Sequence, residues 1–130
     1  MNKKVLILGC VLGLLSVVLG AFGAHGLKKL ISVEAIQTFE TGVRYQMYHA
    51  LLLLFVANHK YLEIKTKRII YFLVLFGVLF FSGSIYLLAT NTLTSFNFKI
   101  IGFITPIGGA LLIASWVILL LNFINLKQNN

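Results

Sequence analysis

The sequence predicts an all-α integral membrane protein, a four-transmembrane-helix bundle with both termini in the cytoplasm. Of the 130 residues, 59% are hydrophobic and 11% are charged, whereas a soluble domain has about 45–50% apolar and about 25% charged residues. The charged residues also fall mostly between long uncharged stretches, as loop residues do in membrane proteins. We therefore treat residues 1–130 as a single membrane domain whose surroundings are a lipid bilayer.

Three stretches predict membrane-spanning helices directly. Residues 5–24, 69–89 and 100–124 contain no charged side chain, and each has about the 20 residues that cross a hydrocarbon core of about 30 Å. The first stretch resembles a signal peptide, but its apolar part exceeds the usual length of about 7–15 residues. We expect this stretch to remain as a helix rather than to be cleaved.

The second span, residues 33–58, is the weakest of the four predictions because it contains Arg44 and His49. Ser32 is a suitable N-cap and Glu34 would lie in the first helical turn. A helix of this length would extend about 39 Å at about 1.5 Å per residue. It is long enough to cross the bilayer while its first turns lie in the interface.

The positive charges predict the orientation. Seven of the eleven Lys and Arg residues would share one side of the membrane, and four would lie on the other. The seven are Lys3, Lys4, Lys60, Lys65, Lys67, Arg68 and Lys127, and the four are Lys28, Lys29, Arg44 and Lys99. Because positive residues favour the cytoplasmic side, we expect both termini inside.

Composition and motifs argue against several classes of function. The formal charge of +8 is spread over loops, so we expect no nucleic-acid binding. Cys10 is the single cysteine, there is no aspartate, and no phosphate-binding loop or nucleophile triad is present. The three histidines, His25, His49 and His59, would lie at different depths. We expect neither a metal site nor a cofactor, and no catalytic residue is assigned.

Small residues on one face of the first span predict close helix packing. They follow one another at spacings of four and three, which keeps them on one side of a helix. These helix-packing residues, the glycine seam, are Gly9, Gly13, Ser16, Gly20 and Gly23. Whether they pack within the chain or between subunits stays open. In the fourth span, Pro106 predicts a bend.

Depth counting places most polar side chains of the spans in the outer half of the bilayer, while the inner half is nearly all Leu, Ile, Val and Phe. We interpret this outer polar layer as a candidate pocket. Its members are His25, Glu40, Arg44, Tyr45, Tyr48, His49, Ser82, Ser84, Tyr86 and Thr105. Arg44 is expected to face the bundle interior and to pair with Glu40, one helical turn away.

Each member of the layer also has a structural interpretation. Glu40 and Arg44 form a plausible ion pair, the tyrosines are typical of interfacial aromatics, and the two serines could bond to their own helix backbone. His25 lies at a helix end, which favours capping or a headgroup contact. His49 is the stronger functional candidate, because an ionisable group at mid-depth is often functional.

Four segments carry a resemblance to a known family. They are residues 20–26 (GAFGAHG), 42–51 (GVRYQMYHAL), 81–88 (FSGSIYLL) and 105–109 (TPIGG). They resemble the YgdD-like family of small bacterial membrane proteins, a domain of unknown function, over essentially the whole chain. The resemblance implies a four-helix protein of the bacterial cytoplasmic membrane and offers no catalytic residues. The loop at residues 93–98 departs from the family by being looser and more polar.

The sequence leaves several functions open. The first is a non-enzymatic protein whose outer pocket binds a small ligand, a lipid headgroup or an ion, with Arg44 supplying charge and His49 a hydrogen bond. The second is a structural or accessory subunit, a homo-oligomer or the partner of another membrane protein, in which the same residues stabilise the bundle. A small transporter is less favoured because the apolar inner half offers no polar path, and an enzyme is least favoured.

Overall fold

The computed structural model describes residues 1–127, which form four α-helices joined by short loops. The helices are α1 (Asn2–Ala24), α2 (Val33–Asn58), α3 (Ile64–Ala89) and α4 (Ile104–Ile124), and the loops contain short 3-10 turns at Leu27–Lys29, Asn91–Leu93 and Phe98–Ile101. The predicted all-α class is confirmed.

Three helical stretches are long and apolar enough to cross a membrane: Asn2–Lys29, Ile64–Ala89 and Phe98–Ile124. Their outer faces carry large uncovered apolar side chains, such as Leu14 and Ile113, which are 65% and 66% exposed. A contiguous apolar exterior of this kind is unfavourable in water and favourable in lipid. The fourth helix, α2, does not belong to this group.

Local capping explains where α2 begins. The Ser32 hydroxyl accepts a hydrogen bond from the backbone N–H of Ala35 at 3.1 Å, which satisfies one of the donors left free in the first turn. Glu34 lies in that turn, where the helix dipole favours a negative charge. The structure places α2 at Val33–Asn58, the range predicted for the second span.

The other two boundaries differ from the prediction. Helix α3 begins at Ile64 rather than at residue 69, because lysine and arginine are good helix formers and can continue a helix beyond its apolar part. Helix α4 begins at Ile104, so Pro106 lies in its first turn. The backbone N–H groups of a first turn have no partner within the helix, so Pro106 breaks no hydrogen bond of α4 and gives no cause for the predicted bend inside that helix.

Successive helices pack antiparallel, and hydrogen bonds between α3 and α4 show the pairing. Thr66, near the start of α3, donates to Asn122, near the end of α4, at 3.3 Å. Ser84, near the end of α3, bonds to Thr105, near the start of α4. The beginning of α1, the α2–α3 loop and the end of α4 therefore share one end of the bundle, here called the terminal end.

Two apolar clusters stabilise the bundle, one toward each end. Toward the terminal end, the buried side chains include Val5, Leu53, Val56, Ile70 and Val74. Toward the opposite end, they are Leu27, Ile36, Phe39 and Ala89. Along α2, the buried residues between these clusters include Gly42, Gln46 and His49, so the polar interior lies between two apolar regions.

Candidate functional site

The glycine seam lies against α2. A Cβ added at Gly9 would be 3.0 Å from Leu54 Cδ2 and 3.1 Å from the Ala50 carbonyl oxygen. At Gly23 it would be 3.0 Å from Phe39 Cδ1. The seam is therefore used within the chain, where it allows α1 and α2 to approach closely.

The middle of the seam is less crowded. A Cβ at Gly13 would be 3.7 Å from the Cβ of Ala50, and one at Gly20 would be 3.4 Å from Val43 Cγ1. Ser16 is buried and its hydroxyl donates to the carbonyl of Leu12, one turn earlier, at 2.7 Å. The close approach of α1 to α2 is therefore tightest at the two ends of the seam.

A closer contact joins α3 and α4. A Cβ at Gly108 would overlap the backbone nitrogen of Phe81 and lie 2.8 Å from the Phe81 Cα. A Cβ at Gly77 would be 2.6 Å from Leu112 Cδ2. The two backbones therefore touch at Gly108, where a side chain of any size would push the helices apart.

A buried glutamine connects three helices in the polar interior. The Tyr86 hydroxyl on α3 donates to Gln46 Oε1 on α2 at 2.7 Å, and Gln46 Nε2 donates to the Leu12 carbonyl on α1 at 2.9 Å. Gln46 is 3% exposed. Our sequence analysis missed it, although its spacing of four from Gly42 and three from His49 places it on their helix face.

A serine joins α2 and α3 one turn away. The hydroxyl of Ser82, which is fully buried, donates to the Gly42 carbonyl at 2.7 Å. A Cβ at Gly42 would lie 2.7 Å from Tyr86 Cε1. Gly42 therefore has two roles, since its carbonyl accepts the serine and its missing side chain leaves room for the tyrosine ring.

The remaining serine of the layer joins α3 to α4. Ser84 lies within hydrogen-bond distance of the Phe80 carbonyl on its own helix and of the Thr105 hydroxyl on α4. A carbonyl oxygen only accepts, so Ser84 donates to Phe80 and Thr105 donates to Ser84. Both hydroxyls are satisfied by the protein, which fits the structural interpretation of this pair.

His49 is fixed between a backbone carbonyl and a tryptophan. Its Nδ1 lies 2.6 Å from the Tyr45 carbonyl oxygen, and the indole Nε1 of Trp116 on α4 donates to its Nε2 at 3.1 Å. Because the carbonyl only accepts and the indole only donates, Nδ1 carries the proton and the ring is neutral. His49 therefore stabilises the bundle by two hydrogen bonds, and Trp116 is a second residue that our sequence analysis missed.

An open groove borders this histidine. It has a volume of about 310 Å³, and we call it the α2/α4 groove. Its lining residues are Tyr45, His49, Phe81, Gly109, Leu112, Ile113 and Trp116. Of the ten residues of the outer polar layer, the structure places two, Tyr45 and His49, in this groove.

Arg44 does not face the bundle interior, so that expectation is wrong. Its side chain is exposed and its guanidinium donates to the Thr41 hydroxyl at 3.1 Å, whereas no ion pair with the half-buried Glu40 forms within residues 1–127. Arg44 is two residues from each of the buried positions Gly42 and Gln46, which turns it about 200° around the helix. Tyr48 is also exposed, at 51%.

His25 lies outside the polar interior. It is exposed and is the C-cap of α1, with its backbone N–H bonded to the Ala21 carbonyl at 3.2 Å. It borders a shallow surface depression with Lys28 and Lys29. The outer polar layer thus divides into four groups. Ser82, Ser84, Tyr86 and Thr105 form hydrogen bonds between helices, Tyr45 and His49 line the α2/α4 groove, Glu40 is half-buried, and His25, Arg44 and Tyr48 face outward.

A polar contact at the terminal end was not predicted. Lys67 is 6% exposed, and its ammonium donates to Asn2 Oδ1 at 3.1 Å and to the Ala57 carbonyl, in the last turn of α2, at 3.0 Å. The positive charge lies where the helix dipole favours a cation. Lys67 is three residues before Ile70 and seven before Val74, both buried, and this helical spacing is the sequence signal that would have predicted an inward-facing lysine.

Titratable side chains are dispersed in this bundle. Within residues 1–127, no three His, Cys, Asp or Glu side chains lie together in a way that could hold a metal ion. The polar interior thus consists of hydroxyl, amide and imidazole groups that bond to one another and to backbone carbonyls, and none of its buried side-chain polar atoms lacks a partner.

Comparison with known proteins assigns the family. A family model described as "Protein of unknown function (DUF423)" matches residues 19–109. The UPF0382 membrane protein YwdK of Bacillus subtilis is 42% identical over 119 residues, which cover 90% of this chain and 93% of the relative. The chain belongs to the DUF423 family.

Two further members agree with this assignment. A UPF0382 membrane protein of Staphylococcus saprophyticus is 40% identical, covering 92% of this chain and 95% of its own. The UPF0382 inner membrane protein YgdD of Escherichia coli is 37% identical over 98% of this chain and 94% of its own. The resemblance to the YgdD-like family is thereby confirmed. No solved structure matches the chain.

The segment matched by the DUF423 model contains all of α2 and α3 and most of the polar interior. It begins just before Gly20 and ends at Gly109, so it contains every residue of the outer polar layer and the Gly108 contact. Trp116, the partner of His49, lies beyond it. The names of these relatives describe membrane proteins, and the chain is a membrane protein of the same family.

Proposed function

We propose that all four helices cross the bacterial cytoplasmic membrane, with both termini inside. Helix α2 packs between α1 and α3, antiparallel to both, and its residues from Phe39 to Leu54 face the glycine seam. This position supports a crossing of the membrane by α2. The excess of positive residues at the terminal end supports the orientation. The name of the E. coli relative, an inner membrane protein, fits the location.

Single cysteines would test this topology. In a Cys10→Ser background, cysteines at Lys29 and Lys60 lie at opposite ends of α2. An impermeant thiol reagent is added to whole cells whose outer envelope is permeable. We expect it to label position 29 while the cytoplasmic membrane is closed, and to label position 60 only after that membrane is opened. Equal labelling of both positions in closed cells would show that α2 does not cross.

We further propose a non-enzymatic, structural role, in which two copies of the chain associate through the uncovered side of α2. One set of residues carries this proposal. At spacings of four and three, the open face of α2 consists of Gln37, Thr41, Arg44, Tyr48, Leu51 and Phe55. All are exposed except the half-buried Thr41. Their mean spacing of 3.6 is the helical period, so all six lie on one face of α2 along which a second helix can pack.

Arg44 supplies the physical reason for a partner. An arginine on a lipid-facing helix is unfavourable, by about 2.5–3.5 kcal/mol at the helix centre on insertion scales and by less toward the interface. Arg44 makes one hydrogen bond within residues 1–127. A helical side chain leans toward the N-terminus, so Arg44 reaches the level of residue 40. In a symmetric pair of copies, Glu40 of each would face Arg44 of the other.

The interior gives less support to the alternative of a polar ligand pocket. Tyr86, Gln46, Ser82 and Ser84 donate to or accept from neighbouring helices, so their hydrogen-bonding groups are already engaged. The same is true of the two nitrogens of His49. These contacts select one arrangement of the helices rather than present free donors to a ligand.

Exchange of the two charges would test the association. Arg44→Glu places a carboxylate on each open face beside that of Glu40, and we expect it to abolish the dimer, measured by native mass spectrometry after gentle extraction. The double variant Glu40→Arg with Arg44→Glu restores opposite charges and should restore the dimer. A monomeric wild type, or a double variant that stays monomeric while the wild type is dimeric, would overturn the proposal.

The α2/α4 groove supports a second candidate, the binding of a small amphiphile. Its volume of about 310 Å³ and its lining by Tyr45, Phe81 and Trp116 are typical of an apolar binding site with few polar groups. Saturable quenching of Trp116 fluorescence by a brominated fatty acid, abolished when Gly109→Leu fills the groove, would favour this role. Quenching that never saturates would count against it.

A further inference from the structure

A second groove runs along the surface between α3 and α4. It has a volume of about 580 Å³ and is lined by Arg68 at one end and by apolar side chains elsewhere, among them Ile69, Phe72, Phe76, Phe80 and Leu111. We call it the α3/α4 groove. It lies on different residues from the α2/α4 groove and from the open face of α2, so it is independent of the function proposed above.

Three phenylalanines form one wall of this groove. Phe72, Phe76 and Phe80 recur every four residues on α3, and successive ring centroids are 6.3 and 6.2 Å apart. All three are between 37% and 46% exposed, so the wall is open to the membrane. Leu111 on α4 forms the facing wall, so the groove is apolar along its length.

The close contact between α3 and α4 fixes the shape of the groove. Because Gly77 packs on Leu112 and Gly108 packs on the Phe81 backbone, the two helices leave no space between them beneath the phenylalanines. The floor of the groove is therefore formed by two helices in close contact, whose separation is set at Gly77 and Gly108. Such a rigid surface loses little entropy when a chain is laid along it.

The length of the groove matches one leaflet. Residues 68 and 80 are about 18 Å apart on a helix that rises about 1.5 Å per residue, slightly more than half of a hydrocarbon core of about 30 Å. Arg68 lies in the first two turns of α3, which begins at Ile64. A lipid tail along the phenylalanines would thus have its headgroup beside Arg68.

The charge at this end favours an anionic headgroup. Arg68 is exposed at the groove, whereas its neighbour Lys67 is turned inward to Asn2 and Ala57. Lys65 and Lys60, also exposed, add positive charge at the same end of the bundle. A guanidinium binds phosphate oxygens through two parallel hydrogen bonds, which a lysine cannot reproduce.

We propose that the α3/α4 groove binds an anionic phospholipid, with its phosphodiester on Arg68 and one acyl chain along Phe72, Phe76 and Phe80. The phosphodiester and the cationic guanidinium are complementary, and an added headgroup ammonium would weaken that attraction. The lipid would occupy the membrane surface of α3 and α4 without entering the polar interior.

Native mass spectrometry of the purified full chain tests this site. After incubation with phosphatidylglycerol or phosphatidylcholine at equal concentration, we expect one retained phosphatidylglycerol per chain and about tenfold less phosphatidylcholine, the ratio that corresponds to about 1.4 kcal/mol. Arg68→Gln should lower phosphatidylglycerol retention about tenfold. Lys65→Gln removes a charge from the same end but not from the groove, and should retain the lipid.

Two further arms make the result decisive. Phe76→Ala should weaken retention while leaving Arg68 in place, which separates a bound lipid from an ion attracted to the guanidinium. Glycerol phosphate without acyl chains should not compete. Equal retention of both lipids by the wild type, or full retention by a folded Arg68→Gln variant with unchanged helical circular dichroism, would overturn the proposal.

Discussion

The α1/α2 and α3/α4 pairs both use glycine to pack closely, but they distribute the contact differently. Four glycines share the α1/α2 approach, with nearest distances from an added Cβ between 3.0 and 3.7 Å. In the α3/α4 pair, Gly108 touches the backbone of Phe81 itself. In this bundle, the regular row of small residues therefore marks the interface that better tolerates an added methyl group. The contact that tolerates it least lies at the single position Gly108.

The largest expected effect is at this single contact. Gly108→Ala would place a methyl group in the backbone of Phe81, which cannot move aside as a side chain can, and we expect a loss of about 3 kcal/mol of stability. Gly83→Ala, with nothing within 4 Å of its added Cβ, should be neutral or stabilising. Unfolding in detergent with increasing SDS measures both. Similar unfolding midpoints for the two variants would contradict the contact.

A smaller effect, with opposite signs, should separate two positions of the glycine seam. Gly9→Ala meets the fixed carbonyl oxygen of Ala50 at 3.1 Å and should destabilise the protein by about 1 kcal/mol. Gly13→Ala, at 3.7 Å from its neighbour, should instead stabilise it by about 0.5–1 kcal/mol, because alanine favours a helix over glycine. The same unfolding assay measures both variants. Unfolding midpoints that shift in the same direction would show that the seam is not more crowded at Gly9 than at Gly13.

The polar interior should contribute less per contact. Tyr86→Phe and Gln46→Leu each remove one side of the bond between α2 and α3, and the double variant completes a thermodynamic cycle. We expect a coupling of about 0.6–1.7 kcal/mol, which spans the average and the maximum of double-mutant cycles on hydrogen bonds between membrane helices. A coupling near zero would mean that the Tyr86 hydroxyl and Gln46 act independently.

The sequence predicted local features of this fold well. Ser32 as an N-cap and the limits of α2 follow from residues that are neighbours along the chain, and the glycine seam follows from helical period. Pro106 was misread because its position relative to the helix start depends on the preceding 3-10 turn at Phe98–Ile101. Period also places residues on a common face without showing which face meets another helix, and for this reason Arg44 was assigned to the interior.

The candidate site was harder to predict for a related reason. The hydrogen bonds that define it join residues far apart in the chain, such as Gln46 with Tyr86 and His49 with Trp116. No spacing in a single sequence specifies such pairs. Lys67 was counted as a loop charge because membrane proteins usually place lysine there, and its buried position depends on acceptors supplied by Asn2 and Ala57.

The smallest expected effect concerns His49 and its indole partner. Trp116 is the single tryptophan of the chain, so its fluorescence reports on this contact alone. Trp116→Phe removes one hydrogen bond while keeping an aromatic ring, and we expect a loss of about 0.6 kcal/mol. His49→Leu leaves the indole N–H without its acceptor and should shift the Trp116 emission maximum. Tyr48→Phe, on the open face of α2, is the control and should leave the emission unchanged.

Because Nδ1 already donates to Tyr45, His49→Asn cannot reproduce both bonds and should resemble His49→Leu. An emission maximum that is the same in His49→Leu and the wild type would mean that α4 does not hold Trp116 against α2, and the α2/α4 groove would lose the contact that closes one of its ends.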